Sequence, residues 1–232
     1  MSFAEAWAAA RDVEGWLTEA QARRLFVAAG AVPAGGRVVE IGSFRGRSAI
    51  VLARGARGDV EVVCIDPHAG SDRGPREIEA RPEVGEADLT AFRGNLERAG
   101  VSERVRHVRD FSALALQTFD GPVDLLYVDG AHRFGPARTD LVRWGARVPP
   151  GGRMLVHDAF SSIGVTLALL RGVTFSRRWT YVGRAGTLVE YVRETGGPAS
   201  TARQLALLPW FAWNVVLKVL TVARLRRGPW PY

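Results

Sequence analysis

The residues best able to do chemistry fall just after short apolar runs: Glu40, Asp66, Asp110, Asp129 with His132, and His157 with Asp158. Asp129, His132 and Asp158 are the most suggestive set. Two carboxylates could hold Mg2+ or another divalent cation through oxygen ligands. Such an ion orients a substrate hydroxyl and lowers its pKa. His132 could instead serve as a general base near neutral pH, with His157 as a further catalytic candidate. Loop histidines also orient neighbours or cap helices, so that simpler role stays open for both.

The second chemical signal is VVEIGSFRGRSAI at residues 38–50. A β-branched run ends in Glu40, glycines follow at 42 and 46, and Ser48 opens an amphipathic helix. Glycine lets backbone approach a ligand, and the exposed N–H groups of a helix start attract an anionic group. The spacing E-x-G-x-x-x-G is not the G-x-G-x-x-G of dinucleotide enzymes, which makes a pyrophosphate cradle the weaker reading. Asp66 stands 26 residues after Glu40, one β-α-β step. In doubly wound sheets an acid there binds ribose hydroxyls. The alternative is an aspartate that starts a turn before Pro67.

These residues share one place only if the apolar runs are parallel strands, whose carboxyl ends line a single crevice. The patterning supports that. Helix 16–30, with Thr18 as N-cap and Gly30 as stop, precedes strand 37–41 and helix 46–54. Strand 60–65 leads into a Gly-, Pro- and charge-rich stretch, 69–85, that reads as a loop covering the strand ends. Helix 86–100, strand 104–108, strand 122–128, helix 133–147, strand 153–156 and helix 161–170 follow. Strands 173–182 and 187–192 close the pattern, with 183–186 as a hairpin turn. Five β-α units and a hairpin imply an α/β fold, a doubly wound, mostly parallel seven-stranded sheet with a terminal antiparallel hairpin. Residues 1–195 form one domain, 1–36 being N-terminal helices, and 196–232 are an amphipathic basic tail.

Composition agrees with this division. The 232 residues are 47% hydrophobic, enough for a sizeable core. The one cysteine, Cys64, lies in an apolar run and reads as an inert core thiol. No disulfide can form within the chain, so a reducing cytoplasm is the default. The first 16 residues carry early acids and no basic leader, unlike a secretory signal, and read as a short helix on the domain. The net charge is +7, but residues 195–232 hold five basic residues and no acid, leaving +2 for the rest. No basic stripe with aromatic platforms marks the body, so nucleic acid is not an expected partner.

Four segments in order, VVEIGSFRGRSAI, CIDPHAG, LLYVDGAHRF and PPGGRMLVHDAF, resemble the motifs of class I S-adenosylmethionine-dependent methyltransferases. More narrowly they resemble the small O-methyltransferase-like group often met beside glycan and natural-product genes, over roughly residues 17–192. The resemblance implies a Rossmann-like methyltransferase fold with S-adenosylmethionine as cofactor. Glu40 would then lie near the cofactor's amino-acid part, which Gly42, Ser43, Gly46 and Ser48 would hold. Asp66 would take the ribose hydroxyls, Asp110 and Phe111 would border the adenine, and His68 would flank it. Asp129 would serve cofactor and metal, Asp158 would be the second metal ligand, and His132 falls where catechol-type relatives carry a lysine base. Ala159 stands where those relatives have asparagine, and His157 where other metal-dependent relatives have an acid, so a metal-free histidine base stays open. The implied reaction is O-methylation of a hydroxyl on a sugar or other small acceptor. A nucleotide-binding oxidoreductase and a catalytically silent cofactor-binding scaffold are the competing readings; the closing hairpin speaks against the former.

The tail has its own pattern. In 205–223 the polar residues Asn214, Lys218 and Thr221 recur at helical spacing. Trp210, Phe211 and Trp213 lie at one end and Arg224, Arg226 and Arg227 at the other. That suits an interfacial helix on an anionic bilayer, peripheral to the inner face of the membrane. Pro209, Asn214 and Lys218 argue against spanning. The other readings are packing on its own domain, or dimerisation through 203–227.

Overall fold

A computed structural model describes residues 1–71 and 79–222. Seven strands form one sheet in the order β3-β2-β1-β4-β5-β7-β6. They are β1 (Arg37–Ile41), β2 (Glu61–Ile65), β3 (Val105–Val108), β4 (Leu125–Val128), β5 (Arg153–Val156), β6 (Thr180–Ala185) and β7 (Leu188–Val192). The first five pair in parallel, while β7 runs antiparallel to both β5 and β6. The order reverses between β1 and β4, which opens a crevice at their carboxyl ends.

Strand alternation builds two core layers. Val38, Val62, Cys64, Leu125, Tyr127 and Leu155 face one layer. Val39, Ile41, Val63, Ile65, Leu126, Val128, Met154 and Val156 face the other. Because both faces are covered, these strands read as continuous apolar runs. Helices α1 (Phe3–Ala10), α2 (Glu19–Gly30), α3 (Arg47–Gly55) and α4 (Pro82–Arg98) belong to the first layer. Helices α5 (Ser112–Thr118), α6 (Phe134–Thr139) and α7 (Ile163–Leu169) belong to the second. Two tail helices follow, α8 (Pro198–Leu205) and α9 (Leu208–Val222). Thr18 caps α2 as expected, in a reciprocal box with Gln21.

Several boundaries differ from the sequence reading. Helix α4 starts at Pro82, where proline suits the first turn, so residues 82–85 belong to a helix and not to a loop. Residues 72–78 of the expected covering loop lie outside the described residues. The expected strand 173–182 is helical at its start: Leu170–Thr174 extend α7 as a π turn, and β6 begins only at Thr180. The hairpin turn is Gly186-Thr187, while Gly183 and Arg184 lie inside β6 beside a register shift. Helix α5 had no sequence expectation of its own. The tail forms two helices, separated at residues 206–207.

Candidate active site

The loop between β1 and α3 is shaped by backbone contacts. Gly42 has φ +86°, and a Cβ there would stand 2.2 Å from the Asp129 carbonyl oxygen. Gly46 is the N-cap of α3 with φ +90° and makes no side-chain cap. The first-turn N–H groups of α3 are therefore left for a ligand. Asp66 holds the loop from the next strand: its Oδ2 accepts from the Ser43 and Phe44 amides at 2.8 and 2.9 Å, and its Oδ1 from the His68 amide at 2.8 Å.

His68 is buried behind this loop. Its Nε2 lies 2.8 Å from the Phe44 carbonyl, and its ring packs against Phe92 and His107. Gly85 of α4 permits that approach, since a Cβ there would meet the His68 carbonyl at 1.9 Å. Sequence reasoning assigned His68 to the ligand. Its contacts show it also braces the loop.

Glu40 is fully buried at the end of β1. Its Oε2 accepts from the Cys64 thiol at 3.1 Å, and its Oε1 makes no hydrogen bond, nor does the buried Ser43 Oγ. Burial pushes the Glu40 carboxyl up to about 7; Asp129 adds to this, while Ser48, Cys64 and Ser43 pull it partly back. Burial, with Glu40 beside it, raises the Cys64 thiol well above its ordinary value, consistent with an inert thiol. An uncapped helix start on the cavity wall, with a buried acid behind it, fits a zwitterionic amino-acid group. The methionyl part of S-adenosylmethionine is such a group.

The second cluster sits on the carboxyl ends of β4 and β5. Tyr127 donates its hydroxyl to Asp129 Oδ2 at 2.8 Å. His157 Nδ1 lies 3.3 Å from Asp129 Oδ1 and 3.8 Å from Asp158 Oδ2, and His132 Nε2 lies 3.0 Å from Asp158 Oδ2. Asp158 and Phe160 both have positive φ, 54° and 56°, so the turn that presents Asp158 is strained. Burial works against a charged His157, yet Asp129 and then Asp158 outweigh it and raise its pKa well above the usual value. Burial likewise opposes a charged His132, and Asp158 reverses the balance, raising its pKa. Asp158 is held well below the usual carboxylate range: burial opposes this, but His132 and His157 prevail.

One cavity of about 1280 Å³ joins the two clusters. Gly42, Ser43, Ser48, Asp66 and His68 line it on the β1–β2 side, Phe111 on the β3 side, and Asp129, His132, His157 and Asp158 on the β4–β5 side. Three of the sequence candidates, Glu40, Gly46 and Asp110, are not on its wall. Glu40 is fully buried at the end of β1, Gly46 faces Phe92 and Leu96 of α4, and Asp110 accepts from the Phe111 amide at 2.7 Å.

Sequence reasoning missed other wall residues. Arg47 gathers the backbone carbonyls of Arg11, Val13, Gly15 and Leu17, which hangs Glu14–Leu17 over the cavity. Trp16 packs on Phe44 with ring centroids 5.2 Å apart. Asp140 lines the cavity and accepts from Ser112 Oγ at 2.5 Å; burial raises its pKa to about 6, and Ser112 partly offsets this. The tail contributes Val215, Lys218 and Val219. An arginine that binds only carbonyls, and a helix from the far end of the chain, leave no local sequence signature.

Comparison with known proteins bears on the family and the fold. Residues 39–159 match the family model for a methyltransferase domain. The chain is 34% identical over 139 residues to a catechol O-methyltransferase of Mycobacterium tuberculosis, covering 60% of this chain. The match spans about half the length of that relative, 54%. Among solved structures, cofactor-bound Rv0187 from MTB is 24% identical, with 83% of this chain and 89% of that one covered at a TM-score of 0.57. The O-methyltransferase TomG of Streptomyces achromogenes, solved with S-adenosylmethionine, is 21% identical, with coverage of 83% and 89% and a TM-score of 0.55. The chain belongs to the methyltransferase-domain family, and its fold is that of the class I S-adenosylmethionine-dependent methyltransferases.

Proposed function

We propose that the protein transfers a methyl group from S-adenosylmethionine to a hydroxyl oxygen of a sugar or other small acceptor. One observation carries this: a single cavity connects the Gly42–Ser48 loop to the His132–Asp158 pair. Its volume exceeds the ~300–1,000 Å³ typical of small-molecule sites, consistent with a cofactor and an acceptor side by side.

When bound, S-adenosylmethionine supplies an electrophilic methyl on a sulfonium. The α3 start would hold its carboxylate, Glu40 behind the loop would place a negative charge near its ammonium, and Asp66 and Phe111 would lie along the nucleoside. The chain's own task is then to align the acceptor oxygen and remove its proton. His132 is suited to that. Its side chain is 40% exposed, so an acceptor can reach it, and Asp158 at 3.0 Å orients the ring and stabilises the imidazolium formed. Asp129 is fixed by the Tyr127 hydroxyl beside His157.

A second reading has its own support. Asp129, His132 and Asp158 offer ligand atoms within 4.8 Å of one another, a mixed nitrogen and oxygen set that could bind a divalent cation. His132 would then be a ligand and not a base.

The test is transfer of labelled methyl from S-adenosylmethionine to a panel of sugars, glycosides and catechols. Wild type is expected to label a hydroxyl acceptor, and His132→Ala to lose that labelling. Equal turnover in the variant would remove His132 as base.

A further inference from the structure

Helix α9 is apolar nearly all round, toward the core and toward the outside. Its polar residues face the protein. Asn214, 3% exposed, donates to the Phe160 carbonyl at 3.0 Å, and Lys218 Nζ donates to the Ser161 carbonyl at 2.9 Å. Leu208, Trp210 and Phe211 pack against the second core layer, while a second apolar set faces outward: Trp213 is 58% exposed, Val216 46% and Val219 61%. With exposed Pro209 and Ala212 they form one stripe at helical spacing. A surface helix ordinarily turns polar residues outward, and a contiguous exposed apolar stripe marks an interaction surface.

Two further facts identify what covers it. The stripe carries no hydrogen-bonding side chain except the Trp213 indole, whereas protein partners usually demand about one hydrogen bond per 100–200 Å². A lipid phase demands none. Beyond the helix the sequence carries Arg224, Arg226 and Arg227, and no acid occurs from Thr195 to the end. That charge complements an anionic lipid surface. Position adds a consequence: Val219 of the stripe and Ile163, 56% exposed, both line the cavity.

We propose that α9 seats the protein on an anionic membrane surface, with its apolar stripe at the headgroup–acyl boundary and the cavity mouth beside it. Asn214 and Lys218 lock the helix to the turn that carries Asp158, so membrane attachment and the acceptor end of the cavity form one unit. Granted the methyl-transfer reading, the acceptor hydroxyl belongs to an amphiphilic molecule presented from the lipid phase.

The experiment uses the full chain, with sedimentation on phosphatidylcholine vesicles with and without phosphatidylglycerol. Calorimetry with S-adenosylhomocysteine runs in parallel. Wild type is expected to pellet with the anionic vesicles and to be released by high salt. Trp213→Ser/Val216→Ser should weaken this at least tenfold with unchanged S-adenosylhomocysteine affinity, which also shows that the variant is folded. Arg224→Glu/Arg226→Glu/Arg227→Glu should do the same. Equal pelleting of wild type and both variants, or equal binding to neutral vesicles, overturns the proposal. So does a wild-type dimer without vesicle binding that the first variant makes monomeric, because a second copy then covers the stripe. Vesicle binding without S-adenosylhomocysteine binding supports the docking surface and removes the methyltransferase reading alone.

Discussion

Replacing Glu40 with glutamine should stabilise the empty protein and impair its use of cofactor. Burial raises the Glu40 carboxyl from 4.5 to about 7. At about 1.36 kcal/mol per unit, ionising it in the folded state costs roughly 3 kcal/mol. The sign follows from proton counting. Between 4.5 and about 7 the unfolded glutamate has lost its proton while the folded one keeps it. Wild-type stability therefore falls as pH rises through that window and stays low above it. Glutamine does not titrate, so Glu40→Gln should match wild type near pH 4.5 and exceed it by roughly 3 kcal/mol at pH 8. Urea unfolding of the cofactor-free proteins at both pH values measures this, provided the two m-values agree. The variant also loses the negative charge that, from behind the loop, favours the cofactor's ammonium, so S-adenosylhomocysteine should bind roughly 10-fold more weakly. In wild type the ammonium draws the Glu40 pKa back down. Binding below pH 7 should therefore release protons, seen as a buffer-dependent enthalpy that Glu40→Gln lacks. A stability difference that is the same at both pH values, together with unchanged affinity, would refute this reasoning.

Further outcomes follow from other contacts. Gly42→Ala combines a strained φ with a Cβ 2.2 Å from the Asp129 carbonyl and should cost about 2–5 kcal/mol by urea unfolding. Gly35→Ala, with φ +68° and open space, should cost only about 1 kcal/mol; equal losses would show that the Asp129 contact is unimportant. His132→Ala should lower kcat about 10²- to 10⁴-fold while leaving S-adenosylhomocysteine affinity within about twofold, measured by labelled-methyl transfer and calorimetry. Dialysis against a chelator should leave wild-type turnover nearly unchanged if His132 is the base. A collapse that Mg2+ or Mn2+ restores would favour the cation on Asp129, His132 and Asp158.

The sheet was legible because buried parallel strands announce themselves as short apolar runs that stop at polar turns. Val38–Ile41 and Leu125–Val128 are both of this kind, and their registers bring Glu40 opposite Tyr127 and Ile41 opposite Val128. The chemistry-bearing residues follow those ends, so the cavity's floor was legible too. Misreadings arose where local pattern and tertiary context disagree. Val173 and Thr174 are β-branched, yet burial against the α7 side carries them into a helical turn. Gly85 suggested a loop, but it serves α4 because only glycine admits the His68 carbonyl. The tail's periodicity was visible, whereas the direction of its polar side depended on the Phe160 and Ser161 carbonyls. The role of Arg47 was invisible for the same reason: carbonyl partners carry no sequence signature.

The most direct measurement is calorimetric titration of the cofactor-free full chain with S-adenosylmethionine and, separately, with NAD+. The Glu40, Ser43 and α3 arrangement predicts one S-adenosylmethionine bound per chain and no heat from NAD+. Saturable NAD+ binding with none for S-adenosylmethionine would contradict it.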